Sequence, residues 1–192
     1  MSKKGRILVA MSGGIDSSVA ALMLHDEGYE VIGVTMKTWD YATSGGNRKT
    51  TGCCSLDDIN DARALAVEKG FHHMILDIRE EFGDHIIDNF VEEYLAGRTP
   101  NPCIQCNTHI KWDALLRRAD QLDCEFIATG HYANRREENG RYIISKGLDE
   151  NKIEKNDDVI ETSKDFGQVP SPKGMPVTII QLTDDMKKSV QQ

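Results

Sequence analysis

Residues 6–18 read Arg-Ile-Leu-Val-Ala-Met-Ser-Gly-Gly-Ile-Asp-Ser-Ser, an apolar run that meets two glycines and then a helical pattern. A strand that passes at once into a helix packs back on its own sheet, so this segment restricts the chain to α/β folds. The pattern recurs. Strands are predicted over Arg6–Met11, Glu30–Met36, His72–Asp77 and Phe126–Thr129. Helices are predicted over Ser17–Glu27, from a Ser55 cap to Lys69, over Arg79–Ala96 and over Thr108–Gln121; Gly28 and Gly70 close the first two. Such alternation implies a doubly wound parallel sheet, whose ligands gather beyond the C-terminal strand ends. Three segments reach that edge: Ser12-Gly13-Gly14, Met36-Lys37-Thr38-Trp39 and Gly130-His131. Residues 37–54 and 97–107 read as loops, and Tyr132–Asn134 with Arg141–Lys146 as a hairpin around Asn139-Gly140.

The glycines of Ser12-Gly13-Gly14-Ile15-Asp16-Ser17-Ser18 let backbone N–H groups approach an anion, and the following helix points its positive end at the same place. Ser12, Ser17 and Ser18 add hydroxyl donors. The loop has no lysine, which argues against the phosphate loop that handles a departing γ-phosphate. Asp16 is an anion facing an anion. It suits Mg²⁺ or loop orientation, or, more simply, favours the helix dipole.

The 192 residues, 39% of them hydrophobic, predict one main domain over residues 1–152 and a divergent tail over 153–192. The tail, with Gln168-Val169-Pro170-Ser171-Pro172-Lys173-Gly174 and one strand-like run over 177–182, reads as poorly ordered or weakly packed. No apolar run suits a membrane span and the N-terminus lacks a secretory pattern, so a cytoplasmic chain is expected. A net charge of −8 argues against indiscriminate nucleic-acid binding. Arg98, Lys111, Arg117, Arg118, Arg135 and Arg136 remain candidates for a local basic site, against the plainer reading of solvated faces and ion pairs.

Five cysteines occur, at 53, 54, 103, 106 and 124. Cys103 and Cys106, with two residues between them, stand beside a helix start, a setting that favours thiolate, the reactive form. A zinc site shared with Cys53 and Cys54, an iron–sulfur site on Cys103 and Cys106, and inert packing are alternatives. Cys124, just before a strand, reads as an apolar filler. Trp39 and Tyr41 are candidates for stacking on a base.

The glycine loop resembles the pyrophosphate loop of the ATP pyrophosphatases. The wider set resembles the tRNA-uridine 2-sulfurtransferases, the bacterial tRNA-specific 2-thiouridylases. That set is Met11–Ser18, Val34-Thr35-Met36-Lys37, Cys53-Cys54-Ser55-Leu56-Asp57-Asp58, Tyr94–Pro102, Cys106-Asn107, Ile110-Lys111, Ala128–Tyr132 and Gly147-Leu148-Asp149. The resemblance implies that ATP, with Mg²⁺, adenylates the C2 oxygen of the wobble uridine and that sulfur then replaces it. It implies that Ala10, Met11, Ser12, Gly13, Gly14, Ile15, Asp16 and Ser17 hold phosphates, with Ser18 completing the loop, and that Met36 and Gly130 line the nucleotide. Asn101, Pro102 and Cys103 would lie against the target base, His131 would contact tRNA, and Cys106 would be the nucleophilic cysteine. Cys103 stands where the family does not require cysteine. After Lys152 the chain departs from the family, and no cysteine follows Cys124 to carry a persulfide. Three expectations follow: sulfide, a sulfur-donor or relay protein, or Cys103 supplies the sulfur step; a partner chain supplies the tRNA-gripping domains; or the chain is an ATP-binding remnant.

Overall fold

The computed structural model describes residues 4–38, 56–130, 133–138, 141–146, 160–162 and 178–182. Four parallel strands form its centre: β1 (Arg6–Ala10), β2 (Glu30–Lys37), β3 (His72–Asp77) and β4 (Phe126–Thr129). They lie in the order β3-β2-β1-β4, so β1 pairs on both sides, with Val9 opposite Gly33 and Ala128. Helices α1 (Ile15–Asp26) and α2 (Leu56–Lys69) follow β1 and β2.

Apolar side chains leave β1 alternately toward two clusters. Ile7 and Val9 join Ala20, Ala21 and Leu24 of α1 and Ala62 and Ala66 of α2. Leu8 joins a second cluster with Phe82, Ile86, Ile110, Leu115 and Ile127. Burial on both faces is why β1 is apolar throughout rather than alternating, and it bears out the doubly wound architecture.

The helix expected over residues 79–96 consists of α3 (Arg79–Phe82), a π-helical turn (Gly83–Ile87) and α4 (Asp88–Leu95) in unbroken succession. The next helical run starts earlier than expected. Residues 102–107, read as part of a loop over 97–107 that contains two prolines, belong to α5 (Pro102–Gln105) and a second π turn (Cys106–Lys111), which continue into α6 (Trp112–Gln121). Both π turns accompany buried residues at every fourth position: Ile78, Phe82 and Ile86 in one, Cys106, Ile110 and Ala114 in the other. An α-helix walks such a row around its axis, and a wider π turn returns it to the core.

In the tail, the strand-like run expected over 177–182 is present as a strand. Strand β8, which covers Thr178–Gln181, adds antiparallel to the free edge of β4, and Leu182 joins the second cluster. A strand laid along an open sheet edge gains ladder hydrogen bonds, which its own composition does not reveal. A separate three-stranded sheet contains β5 (Ala133–Glu138), β6 (Arg141–Lys146) and β7 (Ile160–Thr162), with Glu138 paired to Arg141; residues 139 and 140 of the expected turn lie outside the described residues. Among the described residues no helix is long and apolar enough to cross a membrane.

Candidate functional site

Strand β1 ends at Ala10, and the backbone N–H of Met11 donates to Val34 O at 2.8 Å, which ties the glycine loop to the end of β2. Gly13 has φ +81°, and a Cβ built there would meet the backbone of Asp58 in the first turn of α2. On the opposite side, a Cβ at Gly130 would lie 2.7 Å from Ser17 N and 2.9 Å from Asp16 C. Both glycines are therefore places of close backbone approach: the loop is wedged between α2 and the end of β4. Ser12, Gly14 and Ile15 are exposed there, Ile15 to 81%.

The serine hydroxyls hold the loop. Ser17 Oγ accepts from Ser12 N at 3.1 Å and donates to Gly14 O at 3.1 Å, while Ser18 Oγ donates to the same carbonyl at 3.0 Å. A hydroxyl has one proton to give. In this arrangement Ser17 and Ser18 direct theirs into the loop, Gly14 N donates to Ser12 Oγ at 3.4 Å, and the loop leads into the first turn of α1, which carries Asp16.

Ala10 and Met36 pack against the second core cluster at the same strand edge. Just beyond, Thr38 is 3% exposed and, among the described residues, its Oγ1 has no hydrogen-bond partner. Nothing in the sequence marks this residue beyond its place in the run after β2, because orphaned burial is a property of packing. Removing an unsatisfied buried hydroxyl relieves a desolvation cost of about 1–3 kcal/mol. Thr38→Val is accordingly expected to raise the urea midpoint, and an unchanged or lower midpoint would show that the hydroxyl is satisfied in solution.

Asn101 caps the cysteine helix: its Oδ1 accepts from Ile104 N at 3.3 Å, and Pro102 occupies the first helical position, where its missing N–H costs nothing. Cys103 is exposed in the next position. Cys106 is only 4% exposed and shares the cluster of Leu8, Phe82 and Ile110. Both are thiols, as is Cys124, which is fully buried as its filler reading requires. Arg98 grips Glu93 with two contacts of 2.6 Å. This pairing holds the Glu93 carboxyl below its ordinary range and raises Arg98 above its own. Arg117 pairs with Asp113 at 2.9 Å. For these two arginines the plainer ion-pair reading describes what the structure shows.

The strand ends thus bring together Ala10 to Ser18, Met36 and Gly130, while Asn101 to Cys106 arrive on the helical run that packs on the second face. His131, Trp39, Tyr41, Cys53 and Cys54 lie outside the described residues. Among the described residues no group of three or more His, Cys, Asp or Glu side chains is placed to hold a metal.

Comparison with known proteins covers the same part of the chain. The tRNA-specific 2-thiouridylase MnmA of Amoebophilus asiaticus is 75% identical over 150 residues, 78% of this chain and 40% of the relative. That of Cytophaga hutchinsonii is 76% identical over 152 residues, 79% of this chain and 41% of the relative. That of Salinibacter ruber is 66% identical over 155 residues, 79% of this chain and 40% of the relative. The chain therefore spans 40–41% of the length of these relatives. The family model described as the tRNA methyl transferase HUP domain matches residues 5–155, and the chain belongs to that family.

Proposed function

We propose that this chain performs the ATP-dependent 2-thiolation of the wobble uridine of tRNA, with residues 1–152 as the activating unit. The observation that carries the reading is the self-held glycine loop at the N-terminus of α1, wedged by Gly13 and Gly130, in a chain whose relatives at 66–76% identity are named tRNA-specific 2-thiouridylases. The family description speaks instead of methyl transfer. Cys103 and Cys106 on one capped helix favour sulfur chemistry.

In this reading the backbone of Ala10 to Ser17 holds the phosphates of ATP, Met36 and Gly130 line the nucleotide, and Asp16 faces the Mg²⁺ that accompanies the nucleotide. The C2 oxygen of the uridine attacks the α-phosphorus and pyrophosphate leaves. A sulfur nucleophile then adds to C2, and AMP departs with the oxygen. Adenylation turns a poor leaving oxygen into a good one. Asn101, Pro102 and Cys103 lie against the base, His131 meets the tRNA, and Cys106 is the nucleophilic cysteine. Because Cys106 is buried, the first turn of its helix opens when the base arrives. A sulfur-donor protein and further tRNA-gripping domains complete the system.

The test combines the purified chain with ATP, Mg²⁺, sulfide and unmodified tRNA, and follows AMP release together with 2-thiouridine by mass spectrometry. Both products are expected, and Cys106→Ser is expected to abolish 2-thiouridine while ATP affinity stays unchanged. Bound ATP with neither product formed would overturn this reading.

A further inference from the structure

We infer that Cys103 and Cys106 form a reversible redox pair, closed into a disulfide by exchange with a small-molecule disulfide. Three observations support it. The first is placement: the two residues are three apart on one helical turn, a spacing that makes their side chains neighbours. The second is asymmetry of access, since Cys103 is exposed and Cys106 is 4% exposed. An external disulfide reaches one sulfur, and the shielded one resolves the adduct from within.

The third is the looseness of the turn that must move. A disulfide needs Cβ atoms about 3.5–4.5 Å apart, against about 5–6 Å for neighbours on a regular helix, so closure requires the turn to tighten. The turn is poised for that. Its first backbone bond, Gln105 N to Asn101 O, is stretched to 3.5 Å, and the Asn101 cap bond is 3.3 Å. The Cys106 N–H is shared between Cys103 O and Pro102 O, so a tighter three-residue bond already spans the two cysteines.

The chemistry balances in two steps. The Cys103 thiolate attacks one sulfur of the external disulfide, whose S–S bond breaks, and a thiolate leaves and takes a proton. The Cys106 thiolate then attacks the Cys103 sulfur and expels the second thiolate. Two protein thiols are oxidised and one external disulfide is reduced to two thiols. On the function proposed above, closure also removes the Cys106 nucleophile; the redox pair itself does not depend on that function.

The experiment treats the whole chain with glutathione disulfide, alkylates remaining thiols after unfolding, and maps the peptide of residues 99–111 by mass spectrometry. The expected product lacks two hydrogens, carries no alkyl group on Cys103 or Cys106, and is restored by dithiothreitol. In Cys106→Ser, Cys103 is expected to stop at a stable glutathione adduct. Accumulation of that adduct in the wild-type chain, with Cys106 still alkylatable, would overturn the proposal, as would a bond from Cys103 to Cys53 or Cys54. The readout is chemical, so a chain that forms this bond yet fails to thiolate tRNA separates the two readings.

Discussion

Gly13→Ala is expected to abolish ATP binding in isothermal titration and to destabilise the chain by about 2–3 kcal/mol. Two effects add. A φ of +81° places the residue in the left-handed region, where an L side chain costs roughly 1–2 kcal/mol. The new Cβ also runs into the backbone of Asp58, and backbone at the first turn of a packed helix does not step aside as a side-chain tip would. Either α2 or the loop shifts, and a shifted loop loses the bridge from Ser17 Oγ to Ser12 N and Gly14 O that shapes it. Gly28→Ala is the control. It shares a positive φ of +93°, but a Cβ there meets nothing within 4 Å, so only the backbone cost of about 1 kcal/mol applies and ATP binding persists. If Gly13→Ala bound ATP as tightly as Gly28→Ala, the wedge between the loop and α2 would have no bearing on the nucleotide.

Leu8→Ala is expected to cost about 2–5 kcal/mol in urea unfolding, out of a total near 5–15 kcal/mol for a domain of this kind. Leu8 is 0% exposed, sits opposite Ile32 and Ile127 in the central strand and packs in the cluster that also holds Cys106. A void there cannot collapse easily, because strands on both sides fix the backbone. Val67→Ala, on a residue of α2 that is 78% exposed, is expected to stay within about 0.5 kcal/mol. Equal costs at the two positions would mean that the β1 core is far looser than its burial indicates.

The elements that the sequence predicts well are those whose signals are local. Strands over His72–Asp77 and Phe126–Thr129 and the helix ends at Gly28 and Gly70 match the structure, because period, β-branching and glycine act within a few residues. The glycine loop was legible for the same reason. Residues 102–107 look like loop in the sequence because two nearby prolines do not distinguish a loop from a helix start. Asn101 as cap and Pro102 at the first position turn the same residues into a helix. The seat of β8 was illegible in a different way, since its partner β4 lies some fifty residues earlier and pairing across that distance leaves no pattern in either segment.

By itself, then, the sequence determined the alternation of strand and helix, the glycine loop at the first strand end and the cysteine spacing. Tertiary structure alone decided that Gly13 abuts α2, that the Ser17 hydroxyl turns into its own loop, that Thr38 is buried, and that Cys103 is exposed while Cys106 is enclosed. Local chemistry sets which conformations a segment can adopt; which atoms are shielded and which are exposed depends on surfaces brought together from distant parts of the chain.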